Sequence, residues 1–256
     1  MKHPKSQPHP QSIWQKIVTP PTFAPLSGDT KTDVLIVGGG LAGLLTAYHL
    51  QKRGVNYLLV EQGRICGRTS GNTTAKITVQ HGLIYHKLIR RYGTGTAKAY
   101  YLANRAAANE FALLCRDIDC DYETADNFVY TTDERDKLEM EMQVLEAIDC
   151  PAKFHTELPL PFPVIGAVSV PNQAQFHPLK FAFSLSQNLN IAERTAVKNI
   201  EGTTAFTDRG IIHAKRIVIT SHFPFLDRWG GYFLKLYQHR SYVLALDGAS
   251  VPDGMY

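Results

Sequence analysis

The feature that most constrains the fold of this chain is a glycine-rich turn between an apolar run and a helical stripe. The turn has the spacing G-x-G-x-x-G, with its glycines at Gly38, Gly40 and Gly43. The unbroken apolar run 34–37 before the turn is typical of a parallel strand that is covered on both faces. Apolar residues after the turn recur at helical spacing, and the run 57–60 predicts a second strand that ends at Glu61. The segment therefore predicts a strand–helix–strand unit of an α/β protein.

Each part of this unit has a physical role in binding a dinucleotide. Gly38 allows the tight turn, Gly40 lets the backbone approach a pyrophosphate, and Gly43 lets the helix pack close to the strand. The helix N-terminus offers unpaired N–H groups and a partial positive charge to the phosphates. The carboxylate of Glu61, about 20 residues beyond the glycines, can accept hydrogen bonds from a ribose. An acid at this position also makes NADP the least expected dinucleotide.

Composition excludes several classes of function. The chain has 256 residues and a net charge of +4, which is too small to indicate a nucleic-acid partner. No apolar run in the sequence approaches the length of a membrane span, and the polar N-terminus lacks the apolar core of a signal peptide. The four cysteines form no C-x-x-C pair, which predicts reduced thiols in a cytoplasmic protein and no metal site. We interpret residues 1–29 as a mobile arm in which Ile13, Trp14 and Phe23 contact the body of the protein.

Beyond Glu61 the pattern predicts a loop rich in Gly, Ser and Thr over 63–76, with many backbone amides and hydroxyls. Three of the predicted helices are 85–91, 96–117 and 178–187. A fourth begins at a capping box of Thr131 and Glu134 and stops before Pro151. The predicted strands are a hairpin of 121–124 and 127–130, then 165–170, 190–197, a second hairpin of 203–207 and 211–213, 216–221 and 242–246.

Together these pieces resemble the FAD-dependent oxidoreductases of the D-amino acid oxidase and glycine oxidase superfamily, over nearly the whole chain after the arm. In that family the first strand–helix–strand unit binds the ADP half of FAD, and the loop rich in Ser and Thr extends along the pyrophosphate toward the flavin. A later strand offers backbone groups to the adenine, and a further segment closes over the ADP portion. The resemblance implies these FAD-binding residues: Gly38, Gly40, Leu41, Ala42, Gly43, Glu61, Gln62, Arg68, Thr69, Thr73, Thr74, Ala75, Lys76, Val197, Thr220 and Ser221. No catalytic side chain is assigned, because a flavin carries the redox chemistry itself.

Three stretches, 71–82, 221–225 and 240–242, are similar to bacterial members of the superfamily that carry a C-terminal Rieske iron–sulfur domain. A Rieske centre needs two Cys and two His ligands, and this sequence lacks their paired spacing. The sequence also stops at Tyr256, before the family's last FAD-domain segment, which packs beside the flavin ring. We therefore expect the front part of a longer protein or a shortened form, and we expect the chain as given to bind FAD poorly or not at all.

Four residues outside the glycine turn allow two interpretations each. His81 either faces the flavin or is a hydrogen-bonded structural histidine, and the structural role is favoured. Lys76 lies either near the negative edge of the flavin or in solvent. Arg240 and Tyr242 share one face of a predicted strand, where both could line a substrate cavity. The favoured interpretation is instead that Arg240 forms a surface ion pair and that Tyr242 packs in the core.

The predicted fold class is α/β, with a Rossmann-like FAD-binding domain and an antiparallel-sheet substrate or cap domain, truncated at the C-terminus. The predicted FAD-binding domain comprises 30–95 and 172–222, and the cap domain comprises 96–171 and 223–256. The predicted function is the oxidation of a small amine or amino-acid-like substrate by hydride transfer to FAD. The expected partners are this small molecule and either an electron-transfer partner or a missing C-terminal region, with no nucleic acid and no membrane span. Two alternatives remain: an NAD-binding dehydrogenase, which the loop 69–76 disfavours, and a non-catalytic N-terminal fragment of a larger flavoprotein.

Overall fold

The computed structural model of the chain describes residues 12–223, 225–226, 230–237, 248 and 252–256. In chain order the elements are α1 (Ile13–Ile17), β1 (Thr30–Val37), α2 (Leu41–Lys52), β2 (Tyr57–Val60), a 3-10 turn (Thr69–Asn72), β3 (Lys76–Ile77), α3 (Tyr85–Cys115), β4 (Glu123–Thr131), α4 (Arg135–Ala147), β5 (Lys153–His155), β6 (Gly166–Gln175), α5 (Pro178–Ser186), β7 (Ile191–Ala192), β8 (Val197–Glu201), β9 (Thr204–Thr207), β10 (Ile211–Ile219) and α6 (Tyr232–Lys235).

The chain forms two compact units, of which the first comprises Met1–Thr73 and Pro178–Ala245 and the second Thr74–His177 and Leu246–Tyr256. These limits differ from the domain boundaries predicted at 95 and 171. Residue 95 lies inside α3 and residue 171 inside β6, so the predicted boundaries would divide a helix and a strand. The units separate instead after Thr73 and after His177.

The first unit is built on a six-stranded sheet of order β7-β2-β1-β10-β9-β8. β7, β2, β1 and β10 are parallel, while β9 pairs antiparallel with both β10 and β8. The central strands are buried, as their apolar runs predict, and Leu35, Ile36 and Leu59 are fully buried. The predicted strand–helix–strand unit and the α/β fold class are confirmed.

Two predicted strands of this sheet have different limits. The predicted strand 190–197 is strand only at Ile191–Ala192, which pairs with β2, and the chain then runs as a connection to β8. The predicted strands 211–213 and 216–221 are one continuous strand, β10. Its first residues pair with β9 and its whole length follows β1. The helix predicted over 178–187 is confirmed as α5.

The second unit contains an antiparallel sheet of order β3-β6-β4, in which β5 also pairs with β6. The hairpin predicted over 121–130 is wrong, because β4 is a single strand that pairs with β6 on both sides of a bulge between Ala125 and Asn127. The ten-residue strand β6 offers a longer hydrogen-bonded ladder than a local hairpin would. The residues between the two predicted strands, 125 and 126, form this bulge instead of a hairpin turn.

The helices of the second unit follow the sequence pattern closely. The two helices predicted over 85–91 and 96–117 form α3, which is interrupted by a kink at Gly93, where φ is 81° and ψ is 166°. The predicted capping box is formed only in part: the Thr131 hydroxyl accepts the backbone N–H of Glu134 at 3.0 Å, but Glu134 is itself the N-cap of α4 and its carboxylate pairs with Lys137. The predicted apolar stripe of α4 is buried at Leu138, Leu145 and Ile148 in the core of the unit.

Residues 12–29 are hydrogen-bonded to the first unit, in contrast to the mobile arm predicted for 1–29. Two of the three predicted anchors make these contacts, Trp14 through its indole and Phe23 through its backbone, whereas Ile13 remains 46% exposed. The four cysteines are free and buried. No helix in the described part of the chain is both long and apolar enough to cross a membrane. The predicted strand 242–246, with Arg240 and Tyr242, lies outside the described residues.

Candidate dinucleotide site

The glycine turn joins β1 to α2 at the carboxyl end of the parallel strands. Gly38 has a φ of 115°, which favours glycine, and its N–H donates to the Val60 carbonyl at 2.9 Å. The chain after β10 closes the turn from the other side, because the Thr220 N–H donates to the Val37 carbonyl and the Thr220 hydroxyl donates to the Gly38 carbonyl, each at 2.9 Å. Thr220, predicted to lie beside the ADP portion, is therefore next to the turn.

Gly43 marks a close approach between the helix and the turn. A Cβ atom at this position would lie 1.9 Å from the Gly38 carbonyl oxygen and 2.9 Å from the Thr220 hydroxyl oxygen. These two oxygens are hydrogen-bonded to each other at the end of β1, so neither is free to move away from a Cβ. Only glycine lets α2 start this close to the strand, as the G-x-G-x-x-G pattern predicts.

The start of α2 presents backbone N–H groups beside a hydroxyl. Gly40 is the N-cap and contributes no side chain, while the Leu41 N–H donates to Ser70 Oγ at 3.0 Å. A Cβ at Gly40 would lie 2.9 Å from the same oxygen. The other N–H groups of the first helical turn, including those of Ala42 and Gly43, have no partner inside the helix by geometry. An anion can accept them there.

The Glu61 carboxylate lies beside the turn and is partly exposed. Its Oε2 accepts the Gly39 N–H and its Oε1 accepts the Gly63 N–H, both at 2.8 Å. A carboxylate has about four acceptor positions, so each oxygen retains capacity for one further donor. The carboxylate is thus fixed by backbone groups while it can still accept a pair of hydroxyls.

The loop after Glu61 folds back over the turn. The Cys66 N–H donates to the Gly39 carbonyl at 2.9 Å, and a Cβ at Gly71 would lie 2.3 Å from the Cys66 carbonyl oxygen. Burial, followed by the negative charge of Glu61, raises the pKa of the Cys66 thiol to about 12. This buried thiol is therefore uncharged at neutral pH.

Two residues of this region are missing from the sequence prediction. Ser70 contacts the start of α2, and Glu193, which is 1% exposed, accepts the Ile65 N–H at 2.8 Å. Both contacts join segments that are distant in the chain, so no short-range spacing reveals them.

The remaining predicted residues of the first unit surround this centre less closely. Gln62, Arg68 and Thr69 are exposed, and the Ser221 hydroxyl donates to the Phe223 carbonyl at 3.2 Å. Val197 begins β8, two residues after Thr195, whose N–H donates to the Glu61 carbonyl at 2.9 Å.

Thr74, Ala75 and Lys76 belong to the second unit. Lys76 donates to the Tyr256 carbonyl at 2.9 Å and to Asn127 Oδ1 at 3.5 Å, and burial lowers the pKa of its ammonium group. His81 Nδ1 lies 2.9 Å from the Tyr100 hydroxyl oxygen, which fits the hydrogen-bonded structural role that the sequence favours.

The residues of the first unit fit a dinucleotide. The turn has no Cβ at Gly40, the first helical N–H groups face the same region, and an oriented carboxylate lies beside them. A pyrophosphate requires the first two features and a ribose diol the third.

Comparison with known proteins identifies the family. The profile of the FAD dependent oxidoreductase (DAO) family matches residues 33–254. The Bacillus subtilis (strain 168) protein named "Putative Rieske 2Fe-2S iron-sulfur protein YhfW" is 35% identical over 261 residues, which cover 96% of this chain. The chain spans 51% of the length of that relative.

Solved structures have the same fold. The L-proline dehydrogenase from P. horikoshii superposes with a TM-score of 0.62 at 18% identity, over 77% of this chain and 54% of the dehydrogenase. The glycine oxidase from Geobacillus kaustophilus gives a TM-score of 0.58 at 20% identity, over 79% of this chain and 58% of the oxidase. The family match, which extends over most of the chain, confirms the predicted resemblance and FAD as the family's cofactor. The chain belongs to the DAO family of FAD-dependent oxidoreductases.

Proposed function

We propose that the carboxyl end of the parallel strands in the first unit binds the ADP half of FAD. The pyrophosphate would lie over the segment from Gly38 to Gly43, and the ribose hydroxyls would bind Glu61. The loop from Arg68 to Thr73 would follow the pyrophosphate toward the flavin, and backbone groups at Val197 would contact the adenine. The observation that carries this proposal is the partly exposed Glu61 carboxylate, which backbone N–H groups from both sides hold beside the turn.

We further propose that the protein oxidises a small amine or amino-acid-like substrate. When FAD is bound, it supplies the acceptor for the hydride of a C–H bond next to the substrate nitrogen. The names of two proteins with this fold, an L-proline dehydrogenase and a glycine oxidase, support this substrate class. The part of the first unit described above would bind and orient the cofactor for this reaction.

We propose an iron–sulfur centre as the electron acceptor. The support is the name of the Bacillus subtilis relative, which contains the word Rieske and of which this chain covers about half. The four free, buried cysteines support a reducing compartment such as the cytoplasm as the location of the protein.

The proposed FAD site is tested by titration of the purified 256-residue chain with FAD and with ADP. We expect ADP to bind, FAD to bind no more tightly than ADP, and Gly40→Val to abolish this binding while the helix content stays normal. The valine would project into the proposed pyrophosphate position, and its Cβ would contact only Ser70 Oγ, the acceptor of the Leu41 N–H. Gly95→Val is the matched control, because a Cβ at Gly95 meets nothing within 4 Å. Equal affinity of Gly40→Val and the parent would show that the pyrophosphate lies elsewhere.

The substrate class is tested by mixing the FAD-loaded protein anaerobically with amino acids, simple amines and hydroxy acids. We expect amines or amino acids to bleach the visible absorbance of the flavin. Reoxidation of the bleached protein by a one-electron acceptor, but only slowly by oxygen, would support the iron–sulfur acceptor. Bleaching by hydroxy acids alone, or by NADH alone, would contradict the proposed substrate class.

A further inference from the structure

We infer that the segment 12–26, here called the N-terminal strap, holds the proposed pyrophosphate loop in its binding conformation, with Trp14 as the positioning residue. This inference rests on the proposed FAD site, because the loop in question is the one from Arg68 to Thr73. The strap precedes the first strand of the sheet and lies wholly in the first unit.

The first end of the strap contacts the loop directly. The Trp14 indole Nε1 donates to the Thr73 carbonyl at 2.9 Å, and the Ser12 hydroxyl donates to the Gly71 carbonyl. A Cβ at Gly71 would lie 2.8 Å from Gln15 Nε2, so α1 packs closely against the backbone of the loop. The loop therefore receives two hydrogen bonds and a steric support from one turn of helix.

The second end of the strap contacts the connection between β7 and β8. The Phe23 N–H donates to Glu193 Oε2 at 3.3 Å, and the other oxygen of this carboxylate accepts the Ile65 N–H at 2.8 Å. The Leu26 N–H donates to the Thr195 hydroxyl at 3.0 Å. The strap thus contacts the connection between β7 and β8 directly, and the buried Glu193 carboxylate joins it to the loop that follows Glu61.

These contacts fix a segment that has little internal support. Within the 3-10 turn the Arg68 carbonyl accepts the Gly71 N–H at 3.0 Å and the exposed Asn72 side-chain amide at 2.7 Å, and glycine and small polar residues dominate its sequence. Ordering such a loop upon ligand binding would cost conformational entropy. If the strap orders the loop beforehand, the ligand does not bear this cost and binds more tightly.

The strap also lacks the features of a core element. None of the residues of α1 is buried, and Ile17 is 58% exposed. Loss of one strap contact should therefore affect ligand affinity and loop order more than the free energy of unfolding. This difference separates a positioning role from a purely structural one.

The first experiment is titration of Trp14→Phe with FAD, ADP and adenosine. The variant keeps an aromatic ring but loses the N–H that binds the Thr73 carbonyl. We expect FAD and ADP, which contain the pyrophosphate, to bind roughly fivefold more weakly, the effect of one hydrogen bond, while adenosine affinity is unchanged. Ile17→Ala, on the same helix, is the matched control and should bind all three ligands like the parent.

The second experiment uses trypsin without any ligand, so that its outcome does not depend on the FAD site. Arg68 is exposed and begins the loop, so cleavage after it reports loop opening. We expect this cleavage to be several-fold faster in Trp14→Phe than in the parent or in Ile17→Ala, with equal denaturation midpoints.

The two experiments separate the inference from the proposed function. If the parent binds neither FAD nor ADP, the proposed site is wrong, and faster cleavage would still support the strap as a loop support. If the parent binds both ligands but Trp14→Phe binds them equally well, the strap does not position the loop for binding. Equal cleavage rates in all three proteins would contradict the inference outright.

Discussion

Two carboxylates in this molecule bind backbone N–H groups in the same way but have different surroundings. Glu61, in the first unit, is partly exposed and accepts the N–H groups of Gly39 and Gly63. Glu141, in the second unit, is fully buried and accepts the N–H groups of Tyr85 at 2.8 Å and His86 at 2.9 Å. The same chemical group therefore serves at the proposed ligand site in one region and at the buried start of α3 in the other.

The two carboxylates differ in how many acceptor positions remain unused and in whether solvent reaches them. Oε2 of Glu141 also lies 2.8 Å from His86 Nδ1, so a potential counter-charge is already in place and no solvent reaches the group. Glu61 has acceptor positions left and an open side. Exposure and spare hydrogen-bonding capacity, rather than residue type, distinguish a candidate ligand site from a structural acid.

The largest effect is expected for Glu141→Gln, which removes a charge and two acceptor positions from a buried site. The carboxylate contacts the Tyr85 N–H, the His86 N–H and the His86 ring, and the amide would turn an NH₂ group toward at least one of these partners. A buried donor without its acceptor costs about 1–3 kcal/mol, so the free energy of unfolding of the second unit should fall by about 3 kcal/mol. Urea denaturation measures it, and FAD affinity should be unchanged.

The control for this variant is Glu139→Gln on the same helix. The Glu139 side chain is 48% exposed and pairs with Arg135 at the surface, so its loss should change stability by less than about 0.5 kcal/mol. If Glu141→Gln were no more destabilising than Glu139→Gln, the structural interpretation of Glu141 would have to be abandoned.

Glu61→Gln should lower FAD affinity more than stability, the opposite of the result expected for Glu141→Gln. Loss of charge-assisted hydrogen bonds to the ribose should weaken FAD binding by about 1.5–3 kcal/mol, with a smaller change in stability. Isothermal titration with FAD and ADP measures the effect. Asp33→Asn is a suitable control in the same unit, since Asp33 pairs with Lys215 at the surface at the other end of the sheet. An unchanged FAD affinity in Glu61→Gln, with stability reduced, would make Glu61 a structural acid like Glu141.

The smallest effect compares two hydroxyls at helix starts. Ser70 accepts the Leu41 N–H at α2, and Thr131 accepts the Glu134 N–H ahead of α4. Each hydroxyl accepts one backbone N–H, so Ser70→Ala and Thr131→Ala should each lower the free energy of unfolding by about 1 kcal/mol. Only Ser70→Ala should also alter ADP affinity, because Ser70 lies beside the proposed pyrophosphate position. Altered ADP affinity in Thr131→Ala would show that the titration reports stability instead of local contacts.

The first sheet could be predicted because its signals are local. The apolar run before Gly38, the glycine spacing and the acid at Glu61 fall within one strand–helix–strand unit, and each has a direct physical role. The hairpin turn at 208–210 could also be predicted from its own residues, and Gly210 adopts a φ of 148° there, between β9 and β10.

The parts that could not be predicted depend on distant contacts. The choice between a hairpin and one strand at Ala125–Asn127 is made by pairing with β6, whose partner residues lie 43 to 48 positions later in the chain. The hydrogen bonds of Trp14 to Thr73 and of Phe23 to Glu193 join residues 59 and 170 positions apart. No sequence window contains both partners, so these contacts have no periodic or spacing signal.

The pairing of β1 with β10 also has a consequence for the order of events during synthesis. The hydroxyl of Thr220 closes the turn at Gly38 from 182 residues away, so the ribosome needs roughly 10–40 s to make the second partner after the first. In that interval the stretch from Thr74 to His177, nearly all of the second unit, has already been made. We expect the inserted unit to begin folding before the unit into which it is inserted can complete its sheet.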